Sequence, residues 1–132
     1  MNRIWTISDE QARIIKRAQR QNKEFFYIGH YVTSNGEYVL KPGTTNDLRR
    51  RRQEHNSSYR TTPNFPIKPG TFFEYDWFIP LSKYNTLRIE DNTKKRFINA
   101  GFGYYVNNDR FVFAEKPEAI TIIVKKTYEI AL

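Results

Sequence analysis

The segment FFYIGHYVTSNGEYVLKPGTTNDLRRRRQEH, residues 25–55, constrains the fold more than any other part of the chain. Two runs rich in aromatic and β-branched residues, 25–33 and 37–41, flank Ser34-Asn35-Gly36. Asn-Gly readily takes positive φ, so the pattern predicts an antiparallel hairpin. Thr45 or Asn46 is placed to cap a helix running to Asn56. On that helix Leu48, Arg51, Arg52 and His55 fall at i, i+3, i+4 and i+7, and so share one face. An ordinary core helix holds apolar residues there, and only Leu48 is one. Burying polar or charged groups without partners costs roughly 2–7 kcal/mol each. The face is therefore either solvated or directed at an anion, because a helix N-terminus and arginine forks together form a phosphate site.

The rest of the chain supports a mixed architecture. Residues 8–21 predict a helix, with Ser8 and Gln11 as a capping box and Ile14, Ile15 and Ala18 as a thin apolar stripe. Residues 57–70, rich in Ser, Thr, Pro and Gly, predict a loop. A third strand is expected over 71–79, a helix over 82–101 ending at Gly101, and late strands over 110–114 and 119–130. The expected fold class is α+β, a small and mainly antiparallel sheet flanked by helices. A length of 132 residues suits one domain. Within it, 1–24 reads as a basic N-terminal helix, 25–113 as the core and 114–132 as a C-terminal strand extension.

Charge narrows the partner. The net charge is +8, and aromatic residues make up 16% of the chain. A basic surface interleaved with aromatics suits nucleic acid, through phosphate tracking and base stacking. There is no cysteine, which excludes disulfides, thiolate metal sites and cysteine nucleophiles. No apolar run of membrane-spanning length and no signal peptide is visible, so a cytoplasmic or otherwise intracellular protein, not secreted, is expected.

The ordered set of motifs resembles the GIY-YIG nuclease family. Gly29-His30-Tyr31 stands at the first motif and Lys41-Pro42-Gly43 at the second. Arg51 lies eight residues after Gly43 and His55 four further on, which is the family's helix spacing. Asp47 and Leu48 fit its T-x-D-L-x-x-R run. Lys41 in place of the second tyrosine resembles the phage-associated branch that reads K-I-G, while Pro42 in place of Ile departs from both. The resemblance spans residues 25–113 and implies a GIY-YIG-like fold. It also implies a metal-dependent endonuclease acting on DNA, with RNA as an alternative substrate, and Mg²⁺ or Mn²⁺ held by a glutamate on a later helix. Glu90 stands at that position, on a helix anchored by Leu87, Ile89, Phe97 and Ile98. The rival reading of Glu90 is an i,i+4 surface pair with Lys94. A late asparagine, Asn107 or Asn108, would complete the site; Asn-Asn-Asp is equally a turn sequence.

Under the resemblance, Tyr31 handles the proton of the attacking water, Arg51 contacts the scissile phosphate, and His55 orients the phenol or shares its proton. Lys41 holds phosphate or favours the phenolate, since a free phenol with pKa near 10 is a poor base. Tyr27 lies on the same strand face and takes the tyrosine role if the register is slipped. His30 points to the other face. Arg49, Arg50 and Arg52 read as charges that track the nucleic-acid backbone, with Asn107 beside them. A homodimer would let two single-site subunits cut both strands. The second reading is a non-catalytic nucleic-acid binder on a degraded scaffold of the same kind, favoured by Lys41-Pro42. A third is an adaptor whose charge serves solvation alone.

Overall fold

Capping chemistry sets both N-terminal helices. In α1, Asp9–Arg20, the Ser8 side chain accepts from the Gln11 N–H, and the Gln11 side chain accepts from the Ser8 N–H, completing the reciprocal box. In α2, Leu48–Arg60, the cap is Asp47, whose carboxylate accepts from the Arg50 N–H at 3.0 Å. Neither Thr45 nor Asn46 caps it. The Thr45 hydroxyl is instead bonded within its own turn, to the backbone of Asp47. The computed structural model describes residues 7–21, 23–81, 83–100, 104–106 and 110–113, together with residues 122 and 126.

The hairpin forms as expected, with β1 at Glu24–Val32 and β2 at Tyr38–Thr45. Its turn is closed by the Gly36 N–H donating to the Thr33 carbonyl at 2.9 Å. Only Gly36 takes positive φ, at 82°; Asn35 does not. The loop is thus a turn followed by one left-handed glycine, rather than the two-residue mirror-image turn that Asn-Gly suggests. Strand β2 continues through Lys41-Pro42-Gly43, longer than the aromatic run alone indicates. Among the described residues β5 pairs with β2 only at Tyr38–Leu40, so Pro42 lies beyond that ladder, as suits a residue without an N–H.

Five strands make one antiparallel sheet in the order β3-β1-β2-β5-β4, with β3 at Glu74–Leu81, β4 at Tyr104–Val106 and β5 at Arg110–Phe113. The α+β class is as expected; β4, at three residues, is too short to show alternation in the sequence. Helix α3, Lys83–Ala100, links the β3 edge to the β4 edge. The expected strand over 119–130 falls mostly outside the described residues, and its two described positions, Ile122 and Lys126, have helical backbone.

Strand alternation divides the core in two. Phe25, Tyr27, Tyr31 and Val39 pack with Leu48 and Tyr59 of α2 and Ala18 of α1 on one face. Phe26, Ile28, Leu40 and Phe111 pack with Phe97 of α3 on the other, joined by Ile89. Ile98 is exposed and does not anchor α3. The side chain of Leu87 lies outside the described residues. Among the described residues no helix is long and apolar enough to cross a membrane.

Candidate functional site

Polar side chains on the inward face of α2 are buried with at least one bond each, although the Asn56 amide nitrogen makes none. Leu48, Arg52, His55, Asn56 and Tyr59 are all buried. Arg52, 2% exposed, donates to the Glu74 carboxylate at 3.0 Å and lies 5.8 Å from the centre of the Phe72 ring. It is a structural residue and not a backbone-tracking charge. The Asn56 carbonyl oxygen accepts from the Phe73 N–H at 2.8 Å and ties the helix to the segment entering β3.

His55 organises the chemistry. Its Nε2 lies 2.7 Å from the Tyr27 hydroxyl, with both groups buried. Burial drives the imidazole pKa down to about 3, and the charges of Arg51, Lys41 and Arg110 push the same way. The ring is therefore neutral and one nitrogen accepts. Arg51 also hydrogen-bonds Tyr27, and a guanidinium only donates. A phenol that donates to Nε2 while accepting from Arg51 requires the imidazole proton to sit on Nδ1. Burial disfavours the Arg51 charge, yet the bond to Tyr27 and the Glu54 carboxylate outweigh it and raise the pKa.

The rest of the cluster holds these groups in place. Tyr59 stacks on His55 with ring centres 5.2 Å apart and planes 7° from parallel. Arg110 of β5 lies 4.8 Å from the Tyr59 ring centre. Lys41, 5% exposed, pairs across the ladder with Gly29 and projects on the Tyr27 side of the sheet. Tyr27 itself faces Gly43. A Cβ at Gly43 would overlap the Tyr27 hydroxyl and ring, so the glycine of the second motif is the space that the phenol occupies.

Of the residues expected to act, Lys41, Arg51 and His55 converge on one centre, and the phenol at that centre is Tyr27. Tyr31 instead donates to the Phe65 carbonyl at 2.9 Å and accepts from Arg110 at 2.8 Å. That pair fixes the loop after α2. Glu90 does not join the cluster. Helix α3 packs through Ile89 and Phe97 on the other face, and the Glu90 carboxylate lies 3.5 Å from the Lys94 ammonium. His30 also projects on that other face, as expected, and bonds Asp76 at 2.8 Å. Arg49 and Arg50 are exposed. Asn107, Asn108 and Asp109 lie outside the described residues. Sequence reasoning missed Tyr59, Phe73 and Arg110. Tyr59 was findable, lying four residues after His55 on the same helical stripe.

No family model, curated protein or solved structure matches the chain.

Proposed function

We propose that this protein is an endonuclease that hydrolyses phosphodiester bonds in DNA, with Tyr27 rather than Tyr31 as the phenol that handles the proton of the attacking water. The observation that carries the reading is the Tyr27–His55 bond, made to an imidazole kept neutral in a nest of cations. So weak a base does not take the phenol's proton; as a neutral acceptor it fixes the phenolic oxygen, while Arg51 and Lys41 stabilise the phenolate that would take a proton from water. Arg51 is the half-exposed member, with a side chain 38% accessible, so phosphate and water would meet the cluster through it.

Dependence on Mg²⁺ or Mn²⁺ rests on the resemblance to the GIY-YIG nucleases. Among the described residues no group of three or more His, Asp or Glu is gathered to hold a metal. Mg²⁺ itself needs only one or two carboxylates and keeps several waters. Glu90, bonded to Lys94 on the other face of the sheet, does not fit an ion shared with Tyr27.

The second reading, a non-catalytic nucleic-acid binder, is favoured by the complete burial of Tyr27 and by the position of Glu90. Supercoiled plasmid incubated with Mg²⁺ or Mn²⁺ separates the two. Nicking that Arg51→Ala abolishes supports the endonuclease, and loss in Glu90→Ala would assign the ion to α3. Tight, salt-sensitive binding without any cutting supports the binder.

A further inference from the structure

The solvent side of α2 carries a groove of about 510 Å³ lined by Arg50, Arg51, Gln53, Glu54, Ser57 and Ser58. These positions repeat at three- and four-residue steps, so they form one stripe along the exposed side of α2, with half-buried Arg51 at its inner edge. Two guanidiniums stand toward the start of the stripe, with an amide next and two hydroxyls toward the end. The two guanidiniums are donors suited to the oxygens of one phosphate, and the amide and hydroxyls extend the polar surface along the helix. The guanidiniums are held from outside the groove. Arg50 donates to the Asn46 side chain at 2.7 Å, and Arg51 bonds Tyr27.

One group is out of character. The Glu54 carboxylate lies 3.8 Å from Arg50 Nε and 3.7 Å from Arg51 Nη1. Both separations exceed an ordinary charge-assisted hydrogen bond, so the carboxylate bridges the two cations loosely. It is about half exposed and therefore weakly held. It stands where an anion shared by Arg50 and Arg51 would stand.

We propose that this groove binds a backbone phosphate of nucleic acid, and that Glu54 is a resident stand-in for that phosphate which the ligand must displace. The proposal rests on the reading of the protein as nucleic-acid-directed, and it does not require cleavage. It makes Arg51 the bridge between the bound backbone outside and the Tyr27–His55 pair inside. The Glu54 carboxylate then lowers affinity for every sequence alike, because it competes for phosphate contacts and reads no base.

The test is duplex-oligonucleotide binding without divalent metal, followed by fluorescence anisotropy over a range of salt. Glu54→Gln should tighten binding roughly two- to fivefold, the range set by loss of an exposed ion pair. The dependence of log K on log salt should steepen by about 1, the signature of one further phosphate contact. Arg50→Ala should weaken binding. Asp91→Asn removes the same charge from exposed Asp91 on α3 and should change affinity by much less. Inorganic phosphate added at constant ionic strength distinguishes a site for free phosphate, which it would fill, from one that needs the polymer. Equal tightening by Asp91→Asn and Glu54→Gln would overturn the inference in favour of bulk charge. Unchanged or weaker binding by folded Glu54→Gln, with the parent binding well, would also overturn it. Tightening by Glu54→Gln without any plasmid nicking would uphold it while removing the catalytic reading. A parent that binds no nucleic acid removes both.

Discussion

The two faces of the sheet are built from the same strands and stabilised by opposite means. On the α3 face, Phe26, Ile28, Leu40, Phe97 and Phe111 form an apolar cluster whose stability comes from area and close packing. On the α2 face, aromatic rings enclose Lys41, Arg52, His55 and Arg110, all of them buried. Stability there depends on hydrogen bonds and on His55 staying neutral. A cluster of the first kind tolerates little loss of volume and is indifferent to pH. One of the second kind is sensitive to pH and to single atoms, and it is where chemistry becomes available. The contrast explains why the helix with the poorest apolar stripe is the one that carries the candidate site.

The contrast can be broken in graded steps. Phe97→Ala removes a ring packed 4.9 Å from Phe111, centre to centre, and should cost about 3–5 kcal/mol in denaturant unfolding. That loss should leave nucleic-acid binding unchanged under conditions where the protein stays folded.

Acid should act on the other face. With its folded-state pKa near 3 and an unfolded value near 6.5, His55 binds fewer protons folded than unfolded between those limits. Its contribution is therefore fully present above the unfolded value. It is lost as pH falls, with a slope of up to about 1.4 kcal/mol per pH unit. Unfolding of the parent and of His55→Gln, followed against pH, should show a flatter acid limb for the variant.

Gly43→Ala should cost about 1–3 kcal/mol through overpacking against Tyr27, and it should displace the phenol from His55. Tyr27→Phe keeps the ring and strands the His55 acceptor, for about 1–2 kcal/mol. Ser8→Ala, at the α1 cap away from both clusters, should cost about 1 kcal/mol and nothing in binding.

Much of this organisation was legible in local pattern. The hairpin, the three helices and the antiparallel sheet follow from alternation, caps and turn residues. The convergence of Arg51 and His55 follows from helical spacing. The choice between Tyr27 and Tyr31 did not, because residues four apart on a strand share a face and alternation cannot separate them. Register decides, and register was countable. Paired positions across the turn keep a constant sum, which sets Tyr27 opposite Gly43. Arg110 was not readable by any local rule, since β5 reaches β2 across some seventy residues of chain. Glu90 illustrates the converse. Its spacing fits a ligand, yet crossover geometry decides which side of the sheet a helix covers, and α3 covers the side away from His55.

The chain has two histidines, His30 and His55, so the imidazole nitrogens can be assigned by ¹⁵N NMR with little overlap. At about pH 5, below the ordinary histidine value, His55 should show a neutral ring with Nδ1 protonated and Nε2 accepting. Tyr27→Phe should shift the Nε2 resonance, whereas Tyr31→Phe should not. A His55 ring that takes up its second proton near pH 6.5, or that ignores the loss of the Tyr27 hydroxyl, would contradict the account.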